Sequence, residues 1–230
     1  MQDLPGKAIH DFHFTTLRKK LFFFFFFGPK VQMPVSYYFR KLKQMPEMEQ
    51  IAIEKCYGKV LDIGAAAGSH SLEIQKKGIE VSALEISPKA CEVMRARGIN
   101  RVLCEDFFEF SGEKFDTLLL LMNGIGISST IEGFRKFLKK AENLLNEGGQ
   151  IVFDSCDVDY MYEDLEMPVD HYYGETKFRY EYDKQFTDWF PWLYIDQFTM
   201  QKIAVECGYH SEIIFEDENN QYLAVLTKFS

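Results

Sequence analysis

From residue 46 onward the chain alternates short apolar runs with amphipathic ones, and each kind has its own period. Met48, Ile51, Ala52 and Lys55 fall at helical spacing, which predicts a helix over Pro46 to Cys56, stopped by Gly58. "KVLDI" then reads as a strand centred on Val60 to Ile63, and Ser69 to Lys77 as a helix ended by Gly78. "IEVSALEI" is a strand and "SPKACEVMRARG" a helix. In that helix Ser87 is placed to cap, Pro88 takes the first turn and Gly98 closes it. "INRVLCED" is a short strand, and "KFDTLLLLMN" has the unbroken apolar run of a strand buried on both faces. Ile131, Phe134, Leu138, Ala141 and Leu145 form the stripe of a helix that Gly148-Gly149 would end, before the strand "QIVFDS". This β-α alternation predicts a mostly parallel sheet with right-handed crossovers and helices on both faces. Ligands of such sheets bind outside the carboxyl ends of the strands.

The end of the chain breaks the pattern. A helix over Ile195 to Cys207 precedes two strands, "YHSEIIFED" and "QYLAVLTKF", joined by Glu218-Asn219-Asn220. A link that short makes them antiparallel neighbours. Between "QIVFDS" and that helix, residues 157–194 form an aromatic-rich insertion with both tryptophans, Trp189 and Trp192. Its segments "KFRYEYD" and "QFTDWF" alternate like the two strands of a hairpin, which predicts a β-flap.

Residues 1–32 stand apart as an N-terminal arm. "KKLFFFFFFGPK" has the basic flank and apolar run of a signal peptide, but the run is short and Gly28-Pro29-Lys30 replaces a cleavage site. It is far below the roughly 20 residues needed to cross a bilayer. Six consecutive Phe residues have neither helical nor strand period. Two origins stay open at this level: a native segment buried under a partner, or a slipped reading frame over residues 14–30.

Composition narrows the function. The 230 residues are 47% hydrophobic, enough for one sizeable α/β domain with an appendage. A net charge of −9 argues against a nucleic-acid binder, whose phosphate contacts need clustered Lys and Arg. The five cysteines form no C-x-x-C pair, which fits reduced thiols in the cytoplasm. No Cys/His cluster has metal-ligand spacing, so no metal is expected.

The chemistry concentrates in "KVLDIGAAAGSHSL", where Gly64 to Gly68 holds nothing larger than alanine between a strand and a helix. Small side chains there let a nucleotide-like ligand approach unpaired backbone N–H groups at a helix N-terminus. A dinucleotide fingerprint would need G-x-G-x-x-G, but the loop reads Gly64, Ala66, Gly68, with Ser69 where the third glycine would be. Glu85 ends the next strand, roughly 20 residues on, where a carboxylate can accept from both hydroxyls of a ribose. Asp106 can accept from an adenine amino group and Phe107 can cover the ring. That pair favours an adenosine cofactor other than NAD.

"VLDIGAAAG", "ALEIS", "EDFF", "FDTLLLLMNGIG" and "LLNEGGQIVFDS", in this order, resemble the motifs of class I S-adenosylmethionine-dependent methyltransferases, and the antiparallel end is similar to that family's final strands. The resemblance covers Met33 to Phe229. It implies a Rossmann-like fold, a seven-stranded sheet with an antiparallel C-terminal strand, and S-adenosyl-L-methionine as cofactor. It makes residues 33–230 the methyltransferase domain, with 157–194 on the substrate side. It places Asp62, Gly64, Ala65 and Gly68 at the methionine end and Ile86 against the adenine beside Glu85, Asp106 and Phe107. Asn123, with Met122 and Gly124, ends the fourth strand beside the sulfonium. Two features depart from the family: Ala66 replaces its middle glycine, and "MNGIG" replaces an Asn/Asp-Pro-Pro-aromatic signature. The second departure argues against methylation of amides or nucleobase amines by that motif.

The acceptor is expected to be a small molecule methylated at oxygen or nitrogen. Methyl transfer depends first on proximity and orientation, and no residue declares itself as a base. His171 and Tyr172 are the candidates for acid–base work, His70 for contact with the cofactor carboxylate, and Tyr37, Tyr38 and Phe39 for a cover over the site. A NAD-dependent oxidoreductase and a non-catalytic S-adenosylmethionine-binding protein are the alternatives. No membrane partner is expected, and the chain is read as a monomer or homodimer.

Overall fold

The structure is a computed structural model that describes residues 2–26, 28–163 and 166–229. In chain order the elements are α1 (Leu4–Phe14), β1 (Leu21–Phe25), β2 (Lys30–Met33), α2 (Glu47–Lys55), β3 (Lys59–Ile63), α3 (Ser69–Lys76), β4 (Glu80–Leu84), α4 (Pro88–Ala96), β5 (Val102–Leu103), β6 (Phe115–Leu120), α5 (Ile131–Leu144), β7 (Leu145–Cys156), β8 (Glu175–Tyr182), β9 (Gln185–Phe186), β10 (Phe190–Leu193), α6 (Gln197–Glu206), β11 (Tyr209–Glu216) and β12 (Gln221–Lys228). Seven strands run in the order β11-β12-β7-β6-β3-β4-β5. The pairs β4–β5 and β6–β7 are parallel, while β12 is antiparallel to both β7 and β11. This is an α/β, Rossmann-like sheet with an antiparallel end, as expected.

By contacts the chain forms two compact units. The first comprises residues 1–45, 62–110 and 177–190. It holds the residues after β3, the βαβ segment α3-β4-α4-β5, and the N-terminal arm. The arm is ordered structure. Asp3 caps α1 by accepting from the Gly6 N–H, and the buried face of α1 (Leu4, Ala8, Ile9) packs with Leu21, Val35, Ala67, Val93 and Tyr182. The Phe tract is strand β1, paired antiparallel with β2 on one side and with β8 on the other. Phe27 lies outside the described residues.

Pairing gives the tract a two-residue period that its composition hides. Leu21, Phe23 and Phe25 stand opposite Tyr182, Tyr180 and Phe178, while Phe22 and Phe24 stand opposite Glu181 and Arg179. The second set faces cations. Lys30 Nζ lies 3.9 Å from the centre of the Phe22 ring, and Arg179 lies 4.9 Å from Phe24, 4.8 Å from Phe186 and 4.8 Å from Trp189. The flap hairpin expected within residues 157–194 is β8-β9, turned by Asp183 and Lys184, both at positive φ (53° and 60°) as such tight turns require. Asp164 and Leu165 of that insertion lie outside the described residues.

The second unit comprises residues 46–61, 111–176 and 191–230. It holds β6, β7, β11, β12, α2, α5 and α6. Phe134, Phe137, Leu138 and Ala141 bury the stripe of α5 with Phe153 of β7. One boundary differs from expectation. The helix ends at Leu144, before Gly148-Gly149, because Leu145 is already extended (φ −91°, ψ 139°) and pairs with Phe115. Strand pairing at that position takes the backbone groups a longer helix would use.

Candidate functional site

The small-residue loop between β3 and α3 is where backbone geometry departs furthest from the ordinary. Gly64, Ala66 and Gly68 all have positive φ (73°, 50° and 76°). Their surroundings differ. A Cβ at Gly64 would meet nothing within 4 Å, and Gly64 is exposed, so the loop presents bare backbone there. A Cβ at Gly68 would collide with Ile99 and Met94, so Gly68 is where helix α3 packs. Gly64 and Ala65 also donate their N–H groups to Leu84 O, at 2.9 and 3.1 Å, which ties the loop to the end of β4.

Glu85 follows that strand end. Its Oε2 accepts the N–H of Ala66 at 2.9 Å and its Oε1 the N–H of Ser87 at 2.9 Å. A carboxylate offers about four acceptor sites, so these contacts leave capacity for further donors. Burial pushes the Glu85 carboxyl above the usual range, and the backbone N–H groups of Ser87, Ala66 and Ile86 draw it partly back. Ser87 caps α4 through the Ala90 N–H and donates its hydroxyl to Asp3 Oδ2 at 2.6 Å. The N-terminal arm therefore braces the residue next to Glu85 but one.

The other expected residues of this unit sit as follows. Asp62 is buried and accepts the Ser71 hydroxyl at 2.5 Å; burial raises its carboxyl, opposed by His70 and Ser71. His70 is buried in the first turn of α3. Ala65 is buried beside Cys91 and Met94, and Ile86 is exposed. Asp106 accepts the Phe108 N–H at 2.7 Å, a turn that fixes the carboxylate. Phe107 is buried at 5% exposure while Phe108, edge-on to it, is 37% exposed. Tyr38 is half-buried against Ala66 and Ala67, Phe39 packs beside it, and Tyr37 is exposed.

Sequence reasoning missed Arg97, Tyr180 and Asp3. The Arg97 guanidinium donates to Ala67 O, to Ser69 Oγ at 3.2 Å and to Tyr38 O at 3.4 Å, and stacks on Phe39. As a basic residue at a helix end it reads as a solvated dipole partner, and no local signal marks it. Tyr180, on β8, belongs to the same packed group as Tyr38, Phe39 and Ala66.

The residues 60–149 match the family described as "Methyltransferase domain". A solved S-adenosylmethionine-dependent methyltransferase from Bacteroides fragilis, in complex with S-adenosyl-L-homocysteine, is 40% identical over 99% of this chain and 95% of that one, with a TM-score of 0.92. The chain belongs to the S-adenosylmethionine-dependent methyltransferases. S-Adenosylmethionine is accordingly its cofactor, and NAD is set aside. The CcbJ methyltransferase from Streptomyces caelestis (12% identity, 81% of this chain and 91% of that, TM-score 0.64) shares the fold. So does CalS10, an amino pentose methyltransferase from Micromonospora echinaspora (15%, 88% and 100%, TM-score 0.57). No curated protein matches the sequence.

The remaining expected residues of the methyltransferase belong to the second unit. Asn123 is buried with φ 55°; its N–H donates to Asp154 Oδ2 at 2.8 Å, its Nδ2 to Leu193 O at 3.2 Å, and its Oδ1 accepts Ser155 Oγ at 3.1 Å. Its side chain thus pins the loop after β6. Tyr172 donates to Asp196 Oδ2 at 2.6 Å and accepts the Asp196 N–H at 2.8 Å; burial raises its phenol far above the usual value. His171 is exposed, with Nδ1 2.7 Å from Asp170. Tyr173 donates to Asp157 at 2.7 Å. Among the described residues no group of three or more His, Cys, Asp or Glu is placed to hold a metal, and no helix is long and apolar enough to cross a membrane.

Proposed function

We propose that this methyltransferase transfers a methyl group from S-adenosylmethionine to an oxygen or nitrogen atom of a small-molecule acceptor, with Glu85 holding the cofactor ribose. The observation that carries the assignment is the braced carboxylate of Glu85. It is fixed by backbone N–H groups that include those of Ala66 and Ser87, keeps acceptor capacity, and lies beside a loop whose Gly64 presents open backbone. This suits a vicinal diol, which offers two O–H donors.

Bound there, the cofactor supplies a methyl group on an electrophilic sulfonium. Gly64 and Ala65 expose loop backbone for its methionine end, and Gly68 sets the angle of α3. Asp62, tied to Ser71, orients the loop. Asp106 and Phe107 hold the adenine, with Ile86 covering it. Asn123 is assigned a positioning role, since one side-chain N–H is held by Leu193 O and its Oδ1 accepts from Ser155 Oγ. Tyr172 stays a neutral phenol and serves as a hydrogen-bond partner of Asp196. His171 is the freer acid–base candidate. We take residues 33–230 as the catalytic domain and place the protein in the cytoplasm as a monomer or homodimer; five free thiols and the acidic charge favour that setting over nucleic acid or membrane partners.

Calorimetric titration with S-adenosylhomocysteine and NAD, on wild type and Glu85→Gln, tests the assignment. Micromolar binding of the first, weakened about tenfold by the substitution, is expected. Unchanged affinity in Glu85→Gln would remove the ribose role.

A further inference from the structure

The Phe tract acquires a use from its pairing. Across the three paired strands β8, β1 and β2, one face carries Leu21, Phe23 and Phe25 with their partners Tyr182, Tyr180 and Phe178, and with Val31 and Met33. Every position on that face is apolar or a tyrosine. The charges of these strands (Lys30, Lys177, Arg179 and Glu181) alternate onto the opposite face, where Lys30 and Arg179 lie over Phe22, Phe24, Phe186 and Trp189.

Burial along the uncharged face is uneven. Leu21 and Tyr182 are fully covered at 0% and 1% exposure, within the group that includes α1. Further along, Phe178 is also buried, while Phe23, Phe25 and Tyr180 are only half-buried. Their rings are nevertheless ordered against one another: Phe25 lies 4.5 Å from Phe178 between ring centres and 5.3 Å from Phe23, and Tyr180 stacks on Phe190 at 5.7 Å and 19°. Tyr180 stands at the junction, since it packs in the group that takes in Tyr38 and Ala66, and Glu85 accepts the Ala66 N–H. The aromatic wall thus continues from the Glu85 corner outward, with ring faces and no charge.

We propose that this wall, centred on Phe23, Phe25 and Tyr180, seats a flat, uncharged aromatic methyl acceptor. A cationic acceptor would gain about 0.5–2 kcal/mol from the ring faces, less than the cost of desolvating a charge that has no ionic partner there. A planar ring gains offset or edge-to-face contacts of about 0.5–1.5 kcal/mol each beyond its buried area. The proposal rests on the Glu85 corner being the cofactor site.

The test uses the full chain saturated with S-adenosylhomocysteine and titrates 2-naphthol against cyclohexylamine, a cationic, saturated ring with no π face. Wild type is expected to bind 2-naphthol about tenfold more tightly. Phe23→Ala and Phe25→Ala should each weaken 2-naphthol about fivefold and leave S-adenosylhomocysteine within about twofold. Phe26→Ala, whose ring lies 5.8 Å from Lys177 Nζ and 5.3 Å from the Trp189 ring, should change neither. If the alanine variants fail to fold, Phe23→Leu and Phe25→Leu keep the strand apolar and should still lose about threefold. Equal or tighter binding of the amine, or 2-naphthol affinity indifferent to both inward positions, would overturn the wall. Cofactor binding without 2-naphthol binding would overturn the wall alone, whereas a wild type that does not bind S-adenosylhomocysteine would remove the Glu85 corner and the wall with it.

Discussion

The backbone N–H of Ala66 donates to Oε2 of Glu85 at 2.9 Å, joining the loop after β3 to the residue after β4. Two segments 19 positions apart are thereby held as one corner. A hydrogen bond to a charged acceptor is worth about 1.5–3 kcal/mol, so this contact orients Glu85 and also fixes the loop. Glu85→Ala should therefore weaken S-adenosylhomocysteine more than loss of ribose contacts alone would, about 30-fold or more by calorimetry, and Glu85→Gln less.

Cofactor affinity should fall as the solution is acidified. Burial raises the Glu85 carboxyl above its ordinary value of 4.5. The ionised form accepts from hydroxyls, so protonation removes acceptor sites and binding declines as pH falls through the raised value. The folded protein carries the opposite linkage. A carboxyl whose value is raised by folding binds protons more readily in the native state, so its ionisation costs stability as pH rises through that value. Titration across pH 4.5 to 8 should show the decline in wild type and a flat profile in Glu85→Gln.

Gly64 and Gly68 should respond differently to alanine. Gly68→Ala forces a Cβ against Ile99 and Met94 at φ 76°, and should cost about 2–4 kcal/mol in urea denaturation. Gly64→Ala meets no atom of the protein, so only its φ of 73° counts, about 1 kcal/mol. Its methyl group enters the open space instead, and S-adenosylhomocysteine affinity should drop about tenfold or more while the fold survives.

Ala66 departs from the family glycine at a φ of 50°, where an L-residue is strained. Ala66→Gly keeps the N–H that Glu85 accepts and relieves that strain. Stability should rise by up to about 1 kcal/mol, less the entropy a glycine adds to the unfolded chain. Cofactor affinity should be equal to or better than that of wild type, measured on the same samples.

Tyr172→Phe removes a phenol that both donates to Asp196 and accepts its N–H. Asp196 also caps α6 through the Thr199 N–H. The loss should appear as about 1–3 kcal/mol of stability, with no change in the pH dependence of turnover, because a phenol raised by burial does not ionise near neutrality.

Much of the backbone of the candidate cofactor corner was legible in the sequence because its signals are local. A strand, five small residues and a helix start follow from spacing and side-chain size, and Glu85 sits where the next strand must end. Other roles within the same residues were not legible. Gly68 and Gly64 look alike in a loop, yet one faces Ile99 and the other open space. Phe107 and Phe108 are adjacent and chemically identical, and only the turn held by Asp106 buries the first and exposes the second.

By itself the sequence determined the β-α alternation, the antiparallel end, the flap hairpin and the small-residue loop, since each depends on hydrophobic period, turn residues and caps within a short window. Tertiary structure decided the place of the N-terminal arm. A run of identical phenylalanines carries no period, and the two faces of Leu21–Phe25 exist only because β1 pairs with β8, more than 150 residues away, as where Phe23 meets Tyr180. Local propensity is written in neighbouring side chains. The choice of a distant strand is set by which pairing buries Leu21 and Tyr182 together while the opposite face finds Lys30 and Arg179, and no window of sequence contains both sides of that choice.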